Sequence, residues 1–387
     1  MSGTATNGNG ALADTERGPA YDRIIAVGLR QWKAHNLSPM LQAQCRRLHF
    51  VRGSKAVAAL APSAADAIAI WGATPPPGIA DLACATGAAL LRLEDGFIRS
   101  VGLGSDLIPP QSLVLDRTGI YFDATRASDL ETILQTNTFG ADMLARAAQI
   151  RALIVASGLT KYNIEPRTVP RWPAPAPGRP IVLVPGQVET DASIALGGAH
   201  VRSNLALLRA VRSARPDAWI VYKPHPDVMS GNRSGRTALR ETQAVADWIE
   251  TDASIVSCIE ACDEVHTITS LSGFDALLRG KPVITYGAPF YAGWGLTEDR
   301  AEVSAAWPRR TRRLTLDALV AGALLVYPYY WNPEARCGDV CETVLYRIAQ
   351  TRDLLQSTGK LEQLRSGWAR RQFRKMRVLK DALWGRR

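Results

Sequence analysis

The sequence predicts an α/β protein built on parallel sheet, and three observations carry this. Short apolar runs alternate with helical stretches through most of the chain, as strands joined by crossover helices do. A proline-rich segment (Pro166, Pro170, Pro173, Pro175, Pro177 and Pro180) divides that alternation into two halves. Residues 266–299 parse as a strand end, a small-residue turn, a helix stopped by Gly280, a strand and a Gly-rich aromatic loop. The length agrees, since 387 residues correspond to two domains of roughly 150 residues with additions. The expected organisation is a disordered tail at 1–20, one α/β domain at 21–165, a linker at 166–180, a second α/β domain at 181–330 and closing helices at 331–387.

The elements follow in order. Residues 23–28, 48–52, 67–71 and 89–93 read as short buried strands, with helical stretches around 38–43 and 77–86 among them. Residues 113–115 and 120–122 read as a hairpin turning at Asp116-Arg-Thr-Gly119. Ser128 with Glu131 three residues on is a capping box, and a long helix is expected over 140–157. Beyond the linker, 181–184, 218–222 and 253–256 read as strands, with helices over 201–213 and 244–251. A strand over 282–286, a helix over 316–325, an aromatic turn at 327–333 and helices over 339–357 and from Lys360 onward complete the chain.

With 47% hydrophobic and 21% charged residues the chain buries real cores. The net charge of +10 belongs mostly to the C-terminus, where ten basic residues from Lys360 onward face only Glu362 and Asp381. The basic pI thus describes a tail rather than a nucleic-acid-binding body. From Leu361 the apolar positions Leu364, Trp368, Met376, Leu379 and Leu383 form a stripe with Arg and Lys between, the pattern of an interfacial helix. No N-terminal basic region leads into an apolar run, and no stretch of ~18 apolar residues occurs, so neither a signal peptide nor a transmembrane helix is expected. Of the six cysteines, Cys258/Cys262 and Cys337/Cys341 are spaced as one helical turn. Without a Cys-x-x-Cys pair, zinc is not expected and the thiols read as free.

Four segments carry chemistry at strand ends, where α/β sheets place their ligands. The run 89–93 leads straight into Glu94-Asp95-Gly96-Phe97-Ile98-Arg99. Adjacent carboxylates push one pKa upward, which suits a general base or acid. The strand at 181–184 ends in Gln187-Val-Glu189-Thr-Asp191-Ala-Ser193, where Asp191 or Ser193 also suits a helix N-cap. The strand at 218–222 ends in Lys223-Pro-His225-Pro, whose prolines fix the backbone on both sides of the imidazole, so that Lys223 and His225 suit a phosphate or carboxylate. Ser270, Ser272 and Gly273 open a helix whose N–H groups suit a phosphate, with Asp275 in its first turn placed for a ribose.

In this order the segments resemble the capsular-polysaccharide β-Kdo transferases of Gram-negative bacteria, over roughly residues 22–350, most specifically at Glu94–Ser100 and in the tract 270–299. Kdo is 3-deoxy-D-manno-oct-2-ulosonic acid. The best-known members carry two such modules in tandem, whereas this sequence holds one. The Glu-Asp-Gly and His-Pro motifs also resemble bacterial polysialyltransferases. The resemblance implies a GT-B architecture: two Rossmann-like domains facing a cleft, residues 21–165 for the acceptor and 181–330 for the CMP-sugar. It implies CMP-Kdo as donor, a lipid-linked saccharide acceptor, retention of configuration, no cofactor and no metal. Asp191 would be the nucleophile, with Glu189 two residues away as its rival. Glu94 or Asp95 would receive the acceptor's proton. Lys223, His225, Ser270, Ser272 and Gly273 would neutralise the leaving phosphate, with Gln187 beside them. Asp275 would hold the ribose, Arg99 the sugar carboxylate, and the loop of Tyr291 and Trp294 would close over the sugar. A cytoplasmic enzyme, peripheral on the inner face of the inner membrane and able to meet capsule assembly or export proteins, is the expected setting. The alternatives are another CMP-ulosonate (sialyl-type) transferase, a nucleotide-sugar epimerase of the same fold, or a non-catalytic capsule export or assembly protein.

Overall fold

The computed structural model describes residues 19–165, 167–173, 177–225 and 239–365, with Gln372, Met376, Arg377, Leu379 and Lys380 of the tail. The disordered tail expected at 1–20 falls outside them apart from Pro19 and Ala20, as do Trp368 and Leu383 of the expected interfacial stripe.

The first sheet begins with β1 (Tyr21–Val27), β2 (Cys45–Val51), β3 (Asp66–Trp71), β4 (Ala89–Asp95) and β5 (Ser112–Asp116). Along β1, Ile24 and Ala26 enter one core while Ile25 and Val27 enter another. Burial on both faces explains why parallel strands read as continuous apolar runs. β2, β1, β3 and β4 are parallel neighbours in that order, and β5 is antiparallel to β4. The second sheet holds β6 (Ile181–Pro185), β7 (Trp219–Lys223), β8 (Trp248–Ile249), β9 (Glu264–Thr267), β10 (Val283–Thr285) and β11 (Glu298–Asp299). They lie in the order β8-β7-β6-β9-β10-β11, all parallel. This is the Rossmann order, reversing direction between β6 and β9. In the first sheet the reversal falls between β1 and β3. Crevices outside the strands' carboxyl ends at such points are where α/β folds bind ligands.

Several local expectations are corrected. Residues 120–122 form no strand: the Asp116 carboxylate accepts the N–H groups of Thr118 and Gly119, and turns the chain out of the sheet. Residues 244–251 are not one helix: Leu239–Thr242 is helical and Trp248–Ile249 is β8, pinned beside β7 by Asp247, which accepts from the Ile220 N–H. Residues 253–256 begin a helix, Ile255–Ala261, because the Ser254 hydroxyl accepts the Ser257 N–H as an N-cap. The helix over 316–325 is α-helical to Val320 and widens into a π-helical turn at Ala321–Val326.

The expected aromatic turn at 327–333 is instead β12 (Pro328–Asn332), followed by β13 (Cys337–Asp339). β12 joins the first sheet beside β5, and β13 pairs with β12 at its edge. Aromatic residues favour a pleated surface, and proline is tolerated as the first residue of a strand. The chain therefore crosses to the second sheet and returns. Glu131 holds that return, taking Arg310 at 2.9 Å and Arg309. Its carboxylate is thus withdrawn from the expected capping box, of which only the Ser128 half forms. A helix from Cys341 to Ser357 then packs on the first half, where Arg146 pairs with Glu342. Leu361 is buried and Leu364 packs on the same core, so the tail's stripe starts as part of the fold. All six cysteines are free, and Cys337 lies in β13, so it shares no helical turn with Cys341.

Candidate functional site

A cavity of about 1150 Å³ separates the carboxyl ends of the two sheets. Tyr121 and Phe290 line it and pack on the buried Phe97 beneath, Phe290 with ring centroids 4.5 Å apart and Tyr121 edge-on. Glu94, Asp95, Arg99, Gln187, Asp191, Lys223, His225, Ser270, Ser272 and Asp275, all singled out in the sequence, line it. Glu189, Gly273, Tyr291 and Trp294 do not.

Glu94 and Asp95 end β4. Gly96 follows because the Ser112 side chain of β5 crosses its backbone so closely that a Cβ would lie 2.2 Å from the hydroxyl oxygen. That close crossing bends the chain and leaves both carboxylates facing the cavity. Glu94 sits deep in the cleft. Burial, and then the charge of Asp95, push its carboxyl up to about 7, against Lys161 and Lys33. Asp95 pairs with Arg99 at 2.8 Å.

Arg99 is not held out for a sugar carboxylate. It is buried, and besides Asp95 it donates to the Ser100 hydroxyl and to the Ile108 carbonyl. An arginine this deep keeps its partners, so it positions Asp95.

On the facing wall, Asp191 stands at the N-cap of the helix Ala192–Gly197, one oxygen accepting the Ser193 N–H at 2.9 Å. The cap holds the carboxylate at the cavity edge near the positive end of a short helix. Glu189 points away instead. It is exposed and accepts the Asn204 N–H at 2.8 Å, supporting the start of the helix Asn204–Ala214. The rival to Asp191 thus faces solvent.

Gln187 does not reach into the cavity as a ligand hand. Its side-chain amide donates to the Thr269 hydroxyl and accepts the Thr269 N–H, bracing β6 to β9 at the strand-order reversal. Lys223 is 4% exposed; it donates to the Ala253 carbonyl at 2.6 Å and pairs with Glu165 at 3.1 Å. His225 lines the cavity beside it. The expected phosphate cradle is closed on itself. The Ser270 hydroxyl accepts the Ser272 N–H, the Ser270 carbonyl accepts the Gly273 N–H, and the Ser270 N–H donates to Thr267. A phosphate there would meet hydroxyls first and gain N–H groups only by displacing these bonds.

The loop of Tyr291 and Trp294 is no lid, since both side chains are fully buried. The Tyr291 hydroxyl donates to the Ser270 carbonyl, and the Trp294 ring donates to the Phe290 carbonyl. Gly273 makes room: a Cβ there would sit 2.2 Å from the Tyr291 oxygen. These three residues form the loop's backing. Asp275 is 7% exposed, and burial pushes its carboxyl up to about 7, opposed by Arg279.

Arg30, Lys33, Trp71 and Lys161 are among the cavity residues that escaped sequence reasoning. Lys33 follows β1 and Trp71 ends β3, so strand-end position was an available signal. Lys161 lies in a connection with none. Burial works against the Lys161 charge, but the oxygens of Tyr121 and Tyr162 and the carboxylates of Asp95 and Glu94 outweigh it and hold the ammonium well above its ordinary value. Among the described residues, no group of three His, Cys, Asp or Glu side chains is arranged to hold a metal, and no helix is long and apolar enough to cross a membrane. Met376, Leu379 and Gln372 of the tail also border the cavity.

Two solved structures of Thermosulfurimonas dismutans KpsC superpose on the chain. The beta Kdo 2,4 transferase does so with a TM-score of 0.72 and 32% identity, covering 85% of this chain and 98% of that one. The beta Kdo 2,7 transferase gives 0.67 and 33%, covering 85% and 99%. The capsule polysaccharide modification protein LipA of Neisseria meningitidis serogroup B is 41% identical over 350 residues, 90% of this chain. The chain spans 48% of the length of LipA. The lipopolysaccharide-processing protein LpsZ of Rhizobium meliloti is 39% identical over 79% of this chain and 70% of its own. The pattern shared by capsule polysaccharide biosynthesis proteins matches residues 66–330, from β3 through β12, and so takes in both walls of the cavity. On that match the chain belongs to the capsule polysaccharide biosynthesis protein family.

Proposed function

We propose that this chain is a retaining β-Kdo transferase module of GT-B type, moving Kdo from CMP-Kdo to a lipid-linked saccharide. The observation that carries the reading is the placement of Asp191, an N-capped carboxylate on the second sheet's first strand end, in one cavity with Glu94 and Asp95 of the first sheet. The KpsC modules named as Kdo transferases support the sugar. The Rossmann order of the second sheet supports a nucleotide on that side.

In the first step an Asp191 oxygen attacks the ketosidic carbon. The bond from that carbon to the phosphate oxygen breaks, and CMP leaves with the electron pair. In the second step an acceptor hydroxyl gives its proton to Glu94 and attacks the same carbon, releasing Asp191. Two inversions give net retention. His225 and the hydroxyls of Ser270 and Ser272 attend the departing phosphate, and Asp275 the ribose. Arg99 holds Asp95, which orients the acceptor. The chemistry invokes no divalent metal. The basic tail docks the enzyme on the inner face of the inner membrane, where the acceptor and the capsule assembly or export proteins would be met.

Intact-mass spectrometry after addition of CMP-Kdo tests the reading. The wild type should gain a Kdo-sized adduct, and Asp191→Asn should not, although asparagine caps a helix as well as aspartate does. Transfer should fall at least about a thousandfold in the variant, in keeping with the scale of covalent catalysis. EDTA should leave the rate unchanged. The same adduct on both proteins would remove Asp191 as nucleophile, and turnover of CMP-sialic acid in place of CMP-Kdo would overturn the donor.

A further inference from the structure

The first sheet has a strand-order reversal of its own, between β1 and β3, and it opens into the same cavity as the second sheet's. The residues after β1 supply Arg30 and Lys33, and Trp71 ends β3. The Lys33 ammonium lies 3.2 Å from the centroid of the Trp71 ring and 5.4 Å from that of Trp32. Glu94, one strand further on, borders the same space. This crevice is distinct from the second sheet's, where Gln187 and Thr269 bridge the equivalent gap.

A cation over an indole face, at the carboxyl end of a parallel sheet, offers an anion a charge-assisted contact and a sugar ring an apolar platform. Lys33 makes no ion pair or hydrogen bond among the described residues. It begins the helix Gln31–Gln42, so its backbone is rigid. Burial pulls its ammonium down to about 8, and Glu94 and Asp95 pull the other way. An incoming anion would favour the charged form and take over from the weaker aromatic contact.

We infer that the crevice between β1 and β3 is the acceptor subsite, and that Lys33, resting on Trp71, selects an acceptor carrying an anionic group next to the hydroxyl that reacts. The inference rests on the transferase reading for its catalytic arm only. The anion has two possible sources, the carboxylate of an acidic sugar or the phosphate of a lipid linkage. Both offer oxygens that a lysine ammonium reads.

The test pairs Lys33→Met, which keeps stem and helix propensity, with Lys33→Arg, which keeps charge. Calorimetric titration without donor uses three probes: a simple glycoside of an acidic ulosonate, the same glycoside with its carboxyl reduced to an alcohol, and glycerol phosphate. Lys33→Met should weaken binding of an anionic probe about tenfold or more, in line with the loss of a charge-assisted contact. Lys33→Arg should stay within about threefold, and the reduced glycoside should bind wild type and Lys33→Met alike. Which anionic probe loses affinity names the source. In kinetics the loss should appear as a raised KM for the acceptor, and Lys33→Arg should restore it. Equal affinity of wild type and Lys33→Met for both anionic probes overturns the inference. An enzyme that binds the glycoside through Lys33 yet never releases CMP from CMP-Kdo overturns the transferase reading and leaves the subsite standing.

Discussion

At the carboxyl edge of the first sheet, Glu94 and Asp95 stand side by side with Lys33 and Lys161 nearby. Burial and like charge hold Glu94 far from its ordinary pKa. Across the cavity, several polar groups in the described loops of the second sheet are satisfied within the protein. Gln187 holds Thr269, Ser270 holds Ser272, Lys223 holds Glu165, and Asp191 caps its own helix. One wall stores electrostatic tension and the other stores geometry. Tension at a carboxylate suits a group that must trade a proton, whereas a pre-bonded loop suits a ligand gripped by exchange of hydrogen bonds. A protein optimised for stability alone would not keep two adjacent carboxylates in a deep cleft.

The contrast is broken most severely at Glu94. Glu94→Gln should cut transfer by about 10²–10⁴, the usual worth of a positioned base. In the wild type the rate should rise with pH through about 7, as the base ionises. Stability should run the other way. The folded carboxyl titrates near 7 and the unfolded one at its ordinary 4.5, so the folded state holds a proton that the unfolded state has lost. Stability from this group is therefore present at low pH and falls as pH rises through that window. Glu94→Gln should raise Tm at pH 8 and change it little at pH 4 in calorimetry. An equal change at both would mean that Glu94 carries no such tension.

The second wall is tested by crowding its backing. Gly273→Ala should cost about 1–3 kcal/mol in urea unfolding, as overpacking does, because the added methyl meets the Tyr291 oxygen. Tyr291→Phe alone should cost about 1 kcal/mol for the lost bond to the Ser270 carbonyl. In the Gly273→Ala background it should instead recover part of the loss. Strictly additive costs would show that the two residues do not meet.

The smallest effect belongs to the tail, which is part of neither wall. Truncation after Arg365 keeps Leu361 and Leu364 on the core. It should lower flotation with anionic vesicles, each basic residue near the surface being worth about 1 kcal/mol. Use of a lipid-linked acceptor should fall a few-fold more than use of a soluble one. If the truncated protein floats as well as the full chain, Met376 and Leu379 serve only as a rim to the cleft.

The amino-acid sequence by itself determined two α/β halves built on parallel strands, the strand ends that border the cavity, and Glu94, Asp95, Asp191 and His225 as cavity residues. These follow from short-range rules. A strand buried on both faces must be apolar throughout, and the turn after it must be small or polar. Tertiary structure decided which polar groups are already engaged. Glu189 stood as the rival to Asp191 until Asn204, fifteen positions later, brought an N–H to its carboxylate. Tyr291 and Trp294 read as a mobile aromatic loop until Ser270 and Phe290 supplied carbonyls in the interior. Residues 328–339 gave no sign that they would cross back to the first sheet, because the edge of β5 that receives them lies over two hundred positions earlier. Lys33 meets Trp71 only once β1 and β3 lie side by side. Periodicity reports the environment a residue needs, whereas a hydrogen-bond partner distant in sequence is fixed only when the chain closes on itself.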